Sequence, residues 1–222
     1  MKRTPQAELL DDDSIGNAEV LASLRDLRTV NRLFGGVSTT AHLLRRAMLA
    51  SSLRKASVLE VAAGDGYSIH HAIARLNKEG LKVQPLCLDR REFDAEAHCC
   101  PPAMGGDALH LPFSPASFDF VSCGLFLHHL PPLQVIAFIN GALRVARRAV
   151  LINDLRRNWM HLALIYLWTP LLQSPISRTD GIASIRQAYT PEEIHRMLSQ
   201  TKASSFEIGN RFLFRIGAIA WK

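Results

Sequence analysis

A short apolar strand that ends in a carboxylate and a glycine-rich turn constrains the fold of this 222-residue chain more than any other feature. Residues 57–61 are β-branched and apolar except for Ser57 and Glu60, residues 62–66 form the turn, and residues 67–79 have helical spacing. Glycines let a backbone approach a ligand closely, and the N-terminus of the following helix supplies amide donors. The pattern therefore predicts the first strand of an α/β sheet, with a nucleotide-type ligand at its carboxyl end.

Strands and helices alternate beyond this turn, which indicates βαβ units and a parallel sheet. Apolar runs predict the strands, and helical spacing bounded by glycine or proline predicts the helices. The predicted strands are 57–61, 83–88, 118–123 and 149–152, and the predicted helices are 67–79, 93–98 and 133–145.

Segments on both sides of this alternating core add further helices. Amphipathic helices are predicted at 17–33 and 38–51, before the first strand. A long apolar helix is predicted over 156–173, after the last strand of the core, and a polar loop is predicted to follow it. The residues that suggest this loop are Ser174, Pro175, Arg178, Asp180 and Gly181.

The C-terminal region begins with a helix-start signal and ends in two apolar runs. Thr190 can cap a helix, Pro191 suits its first position, and Glu193 completes a capping box. Residues 204–208 and 212–221 are predicted to form an antiparallel strand pair.

These elements predict one domain with a Rossmann-like, doubly wound α/β fold. We expect a mostly parallel seven-stranded sheet with an antiparallel C-terminal strand and an N-terminal helical lid. The expected parts are the lid (1–54), a ligand-binding core (55–155), a helical and loop insertion over the active site (156–189), and a C-terminal helix with the strand pair (190–222).

Composition narrows the class of protein but not its activity. Apolar residues make up 48% of the chain, as in a globular domain, and the net charge is +6 with lysines and arginines spread along the sequence. The four cysteines form no CxxC pair, which favours free thiols in a reducing cytoplasm, and we assign no metal ligands. Residues 1–13 are polar and lack the apolar region of a secretion signal, so a cytoplasmic location is expected.

Three carboxylates stand where such a sheet binds ligands. Glu60 precedes the turn and suits a positive ammonium group, whereas the missing third glycine of a dinucleotide fingerprint, at Ile69, disfavours NAD. Asp89 ends the second strand, where an acid can bind ribose hydroxyls, and Asp107 follows two glycines, where it can accept from an adenine amine. The alternatives are that Asp89 pairs with a neighbouring arginine and that Asp107 satisfies its own turn.

These three elements, in this order and spacing, resemble the class I S-adenosylmethionine (SAM)-dependent methyltransferases. Residues 118–124 and 125–130 extend the resemblance to the fourth strand and the segment after it, which look like the branch that includes ubiquinone and menaquinone biosynthesis enzymes. The resemblance covers residues 55–155, and Ala62 stands where the family usually has its first glycine.

The resemblance implies SAM as the cofactor and a role for each matching residue. Glu60 would lie near the methionine ammonium, the turn would cradle the cofactor, Asp89 would bind the ribose, and Asp107 with Ala108 would contact adenine. The cofactor-binding residues implied in this way are Glu60, Ala62, Gly64, Gly66, Asp89, Arg90, Asp107, Ala108, Cys123 and Gly124.

Two adjacent histidines follow the fourth strand, where the active site of the family opens. His128 or His129 could act as the general base if the methyl acceptor must lose a proton. The alternative is that His128 supports the cofactor pocket and His129 starts a helix. His-His is common at this place in the family whatever the substrate.

Residues after the fifth strand are candidates for acceptor contact. Asp154 stands at the strand tip, Arg156 and Arg157 could hold a substrate anion or be a solvated pair, and Trp159 begins an apolar stretch. An apolar insertion of this kind suits an apolar or aromatic acceptor and could also contact a membrane.

The function predicted from these observations is methyl transfer to a small lipophilic or aromatic acceptor, such as a phenol, quinone precursor or polyketide-derived ring, on oxygen rather than carbon. Two alternatives remain open at this stage. The basic charge would fit an RNA methyltransferase. The sequence lacks the motifs of nucleic-acid methyltransferases, however, so no nucleic-acid partner is expected. A non-catalytic SAM-binding protein would bind the cofactor without turnover.

Overall fold

A computed structural model describes residues 1–12, 14–91 and 102–222 of the chain. Within these residues seven strands form a single sheet. The strands are β1 (Lys55–Val61), β2 (Lys82–Asp89), β3 (Ala103–Gly105), β4 (Phe118–Gly124), β5 (Ala146–Leu155), β6 (Ser205–Arg211) and β7 (Arg215–Trp221).

The strand order in the sheet is β3-β2-β1-β4-β5-β7-β6. Pairing is parallel from β3 through β5, and β7 pairs antiparallel with both β5 and β6. The predicted mostly parallel sheet with an antiparallel C-terminal strand is therefore confirmed. The order reverses direction between β1 and β4, and such a switch point opens a crevice at the carboxyl ends of the strands.

Helices cover both faces of the sheet, and short 3₁₀ helices lie at Leu9–Asp11, Leu127–His129 and Thr169–Leu171. The α-helices are α1 (Asn17–Leu33), α2 (Gly36–Ala50), α3 (Tyr67–Lys78), α4 (Pro132–Val145), α5 (Trp159–Trp168), α6 (Pro175–Gln187) and α7 (Pro191–Leu198).

Two hydrophobic cores form, one on each face of the sheet. Successive residues of a strand point to opposite faces. Accordingly Phe120 packs in the core that contains Leu44 and Met48 of α2, whereas Val121 packs in the core that contains Phe138 of α4. Because both faces are buried, the central strands contain consecutive apolar residues, as residues 149–152 of β5 show.

The predicted loop after residue 173 is wrong, because residues 175–187 form α6. Ser174 caps this helix and Pro175 occupies its first turn. Its polar side chains suggested a solvated loop, but Asp180 and Ser184 are buried and have partners on other segments. The predicted helix over 156–173 is shorter than expected, and the predicted helix at 93–98 lies outside the described residues.

Residues 1–12, which we call the N-terminal strap, lie along α6. The Asp180 carboxylate accepts from the backbone amides of Leu9 and Leu10, both at 2.9 Å. Arg3 donates to the backbone oxygen of Gln187 at 2.6 Å and to that of His128 at 2.8 Å. The strap therefore joins α6 to the segment that follows β4.

Among the described residues, no helix is long and apolar enough to cross a membrane.

Candidate active site

A cavity of about 480 Å³ lies at the carboxyl ends of β1, β2, β4 and β5. The N-terminal strap, α1, α5 and α6 complete its walls. It occupies the switch point of the sheet, the place where open α/β sheets bind ligands. Its lining combines the acids that end β1 and β2 with the histidines that follow β4.

Glu60 is a buried acid with an unused hydrogen-bonding atom. Glu60 is the penultimate residue of β1, and 3% of the residue is exposed. Its Oε2 has no hydrogen-bond partner among the described residues. Burial raises the pKa of Glu60 to about 7, although a hydrogen bond from Ser122 acts in the opposite direction. A cationic donor in the cavity would satisfy this oxygen and favour the ionised carboxylate.

The turn after β1 has the backbone shape of a ligand cradle. Ala62, Gly64 and Gly66 all have positive φ, at 54°, 55° and 73°. The Gly64 amide donates to Oδ2 of Asp89 at 2.7 Å, which ties the turn to the end of β2. A positive φ is costly for alanine, so the rest of the site must hold Ala62 in this conformation.

The third predicted carboxylate, Asp107, is more exposed than the other two. It accepts from the Leu109 amide at 2.8 Å and pairs with Nδ1 of His110 at 2.6 Å, and this pairing lowers the pKa of Asp107. The turn interaction that the sequence left open is therefore present. Asp107 nevertheless lines the same cavity as Glu60. Asp107 follows β3, and β2 lies between β3 and β1, the strand that contains Glu60.

The structure gathers most of the predicted cofactor residues around one cavity. Gly66 and Cys123 do not belong to its lining; Gly66 caps α3 and the Cys123 side chain is buried in the core. Burial and the nearby charges of Glu60 and Asp154 raise the pKa of the Cys123 thiol, so it is not a thiolate at neutral pH. The lining residues are Glu60, Ala62, Gly64, Asp89, Arg90, Asp107, Ala108 and Gly124.

His128, which lines the cavity, forms a buried ion pair with Asp154. Nδ1 of His128 lies 2.6 Å from Oδ1 of Asp154, and the His128 amide donates to Oδ2 at 3.2 Å. Burial alone would lower the pKa of His128, but the carboxylates of Asp154 and Glu8 raise it to about 10. His128 is therefore an imidazolium at neutral pH.

Glu8 of the strap completes this group, and the sequence analysis missed it. Its carboxylate lies 3.4 Å from Nε2 of His128 and 3.8 Å from Nε2 of His129, and it accepts from Ser184 at 2.5 Å and Gln187 at 2.7 Å. Burial would raise the pKa of Glu8, but the histidines lower it. A lone glutamate in a polar N-terminal segment gives no signal of this role, because every partner lies more than 100 residues away.

Glu8, His128 and His129 could also hold a metal ion. Each offers one ligand atom, and the three atoms lie within 4.8 Å of one another. A cation there would have to displace the proton that His128 shares with the two carboxylates. We therefore describe the group as an acid–base cluster.

The structure does not bring the four predicted acceptor residues Asp154, Arg156, Arg157 and Trp159 to the cavity lining. Asp154 is buried against His128. Arg157 is buried and donates to Glu193 at 2.7 Å, to the Ala188 oxygen at 2.5 Å and to the Met1 oxygen, so its charge is already compensated. Arg156 pairs through its backbone with the segment near Tyr189. Trp159 points outward, with 67% of the residue exposed.

Other residues line this part of the cavity instead. They are Leu155 at the end of β5 and two residues of the insertion, His161 and Ile165. Burial lowers the pKa of His161 to about 4, and its Nδ1 pairs with the Arg156 oxygen at 3.0 Å, so this ring is neutral. The insertion thus adds both an apolar side chain and a neutral ring to the lining, which also includes polar residues such as Asn153, Ser177 and Arg215.

A known protein family matches the central part of the chain. Residues 59–151 match the family described as Methyltransferase domain. No curated protein matches the sequence.

Solved structures with similar folds cover nearly the whole chain. The plantazolicin methyltransferase BpumL, in complex with a monoazolic desmethylPZN analog and SAH, has a TM-score of 0.65 at 12% identity over 92% of this chain and 95% of that one. The plantazolicin methyltransferase BamL has a TM-score of 0.65 at 16% identity over 90% and 89%. A SAM-dependent methyltransferase from Aquifex aeolicus has a TM-score of 0.58 at 13% identity over 91% and 97%. The chain thus has a Rossmann-like methyltransferase fold, with a methyltransferase domain match over residues 59–151.

Proposed function

We propose that this protein is a SAM-dependent methyltransferase that methylates a small lipophilic or aromatic acceptor, on oxygen rather than carbon. The observation that carries the proposal is a single cavity lined both by an unsatisfied buried carboxylate, Glu60, and by the His128–His129 cluster. Similar folds that hold SAH, several of them together with a desmethylPZN analog, support this proposal.

The residues present fit the cofactor. Glu60 would accept from the methionine ammonium, Asp89 would bind the ribose hydroxyls, and Asp107 would lie at the adenine. The turn at Gly64 would allow close approach of the backbone. When bound, SAM supplies an electrophilic methyl group on a sulfonium.

We propose His129 as the general base of the reaction. His128 already carries a proton that two carboxylates stabilise, so it cannot accept another from the acceptor. The His129 side chain is 23% exposed, lines the cavity and lies beside Glu8, whose carboxylate would stabilise the imidazolium that forms. Asp154 and His128 would hold this segment in position rather than touch the acceptor.

The acceptor would lie between His129 and the insertion. Leu155 and Ile165 offer apolar walls, which favour a lipophilic or aromatic ring over a charged substrate. The remaining catalytic contribution is alignment of the acceptor oxygen with the methyl group and exclusion of water by the strap and the insertion.

Calorimetric titration with SAM and, separately, with NAD tests the cofactor. We expect SAM to bind and NAD not to bind, and Asp89→Ala to weaken SAM binding about tenfold or more, since it removes charge-assisted hydrogen bonds. Glu79→Ala, a change to an exposed surface acid, is the matched control and should leave binding unchanged. Binding of NAD instead of SAM would overturn the proposal.

Incubation with labelled SAM and a panel of alkyl phenols tests the acceptor and the base. We expect label in an ether product and a rate loss of about a hundredfold for His129→Gln, in the range typical of a general base. His195→Gln, at an exposed histidine of α7 outside the cavity lining, should retain the rate. Transfer only to RNA, or SAM binding without transfer to any acceptor, would contradict the acceptor class.

A further inference from the structure

The outer face of α5 and of the 3₁₀ helix after it is apolar and uncovered. Trp159, Met160, Tyr166, Leu167 and Leu171 have exposed fractions of 67%, 69%, 47%, 77% and 66%. Their spacing places them along one side of the helix. We call these five side chains the outer stripe.

The outer stripe contributes little to the packing of the domain. The opposite side of α5 faces inward, where Leu162 is buried and Ile165 lines the cavity. Single exposed apolar residues are ordinary, but a contiguous apolar face of this kind indicates an interaction surface.

The insertion that carries the outer stripe is also basic. Residues 156–189 contain four arginines, a single aspartate and no lysine or glutamate. The aspartate, Asp180, is buried and occupied by the strap amides, and Arg157 is paired with Glu193. The surface charge of the insertion is therefore positive.

Two of these arginines lie beside the outer stripe. Arg186 donates to the hydroxyl of Tyr166 at 2.9 Å, and Arg178 donates to the Leu172 oxygen at 2.8 Å, next to Leu171. Both arginines are exposed. An apolar face with tryptophan and tyrosine, flanked by arginines, matches the chemistry of an anionic bilayer surface, in which the apolar residues enter and the guanidinium groups meet phosphates.

We propose that the outer stripe docks the protein on the surface of an anionic lipid bilayer, with Arg178 and Arg186 against the lipid phosphates. A second copy of the chain fits less well, because a two-fold contact across the outer stripe would place the same arginines against each other. This inference depends on the exposed face and its charge, not on the proposed reaction. Docking would also put the insertion that lines the cavity at the membrane, where a lipophilic acceptor collects.

Co-sedimentation of the full chain with vesicles, without SAM or acceptor, tests the proposal. We expect binding to vesicles of equal parts phosphatidylcholine and phosphatidylglycerol, and about tenfold or more weaker binding to pure phosphatidylcholine or at high salt.

Variants of the outer stripe distinguish specific docking from nonspecific adsorption to the vesicles. Leu167→Glu combined with Leu171→Glu should weaken vesicle binding at least tenfold. Leu49→Glu, at an exposed leucine of α2 outside the insertion, is the matched control and should bind as the parent chain does. Circular dichroism of each variant checks that the fold is intact.

Substitution of the two arginines beside the outer stripe tests the contribution of charge. Arg178→Gln with Arg186→Gln should lower binding to the anionic vesicles by about tenfold, since each surface arginine contributes a few-fold near an anionic membrane. Arg148→Gln, an exposed arginine near the start of β5, should have no effect.

Three results would overturn the proposal. The first is no binding to anionic vesicles, and the second is equal losses in the stripe and control variants. The third is a dimer in size-exclusion chromatography that Leu167→Glu dissociates, because the outer stripe would then be a protein–protein interface.

Discussion

At the scale of single residues, Glu60 shows how this site prepares for a cation. Ionisation of a buried carboxyl group that lacks hydrogen-bond partners is unfavourable, and for this reason the pKa of Glu60 is raised to about 7. An ammonium group in the cavity reverses the preference. The free protein therefore holds Glu60 partly protonated at neutral pH, whereas the complex would hold it ionised.

This difference predicts a pH-dependent affinity for SAM. Because the pKa of Glu60 is raised in the free protein, binding below pH 7 must release its proton, so affinity should rise up to about tenfold per pH unit and level off above 7. Calorimetry in two buffers of different ionisation enthalpy measures the released proton. Glu60→Gln should bind about tenfold more weakly and lose this proton release. An unchanged proton count in that variant would contradict the assignment.

The His128–Asp154 pair predicts a stability that depends on pH. The His128 pKa is raised from 6.5 to about 10, so its contribution is complete below pH 6.5 and is lost as the pH rises through 10. Asp154→Asn should lower the free energy of unfolding by about 3 kcal/mol at pH 7 and by less at pH 10.5, as measured by urea titration. Glu79→Gln, in a surface pair with Arg45, should cost under about 1 kcal/mol. Equal losses at both pH values would count against the ion pair.

Most of the residues predicted to bind the cofactor line one cavity, and their grouping could be predicted because each belongs to a local pattern. Glu60 and Asp89 end apolar strands, and parallel strands bring their carboxyl ends to one edge of the sheet. Glu8 could not be predicted, since its contacts with Ser184 and Gln187 span 176 and 179 positions. Arg157 was assigned to an acceptor because a basic pair at a strand tip gives no sign that one member is buried against Glu193.

At the scale of elements, prediction succeeded where burial follows the helical or strand period. The amphipathic pattern of residues 17–33 matches α1, and the apolar runs match the central strands. It failed at α6, where Asp180 and Ser184 face the strap rather than solvent. Polar residues buried against a distant segment break the link between polarity and exposure on which the periodicity argument rests.

Two glycines in helices predict opposite effects of the same substitution. A Cβ on Gly36 would lie 2.1 Å from Oδ1 and 3.0 Å from the Cα of Asn31, where α1 turns into α2, whereas a Cβ on Gly141 of α4 would meet nothing within 4 Å. Gly36→Ala should therefore lower the free energy of unfolding by about 2 kcal/mol. Gly141→Ala should raise it by about 1 kcal/mol, because alanine favours a helix interior. Chemical denaturation measures both, and stabilisation by Gly36→Ala would show that Asn31 can move aside.

At the scale of the whole molecule, the cavity lies between one edge of the sheet and a cover of other segments. The sheet edge supplies Glu60, Asp89 and Asp154 from three strands, each held by cores on both faces. The cover consists of the strap, α1 and the insertion, and it brings Glu8 to the histidines. Under the proposed function, cofactor binding would depend mainly on the sheet, whereas proton transfer would also depend on the cover.

Deletion of residues 1–12 tests this division, because it removes Glu8 and leaves the sheet edge intact. We expect a cooperative thermal transition, SAM affinity within about threefold of the parent chain, and a methyl-transfer rate lower by about a hundredfold, since His129 loses the carboxylate beside it. Glu8→Gln keeps the strap and removes only its charge, so it should lose most of the same rate. Asp180→Asn weakens the anchor of Leu9 and Leu10 and should lose less. If the deletion weakened SAM binding as much as the rate, the strap would be a wall of the cofactor site rather than part of the acid–base cluster.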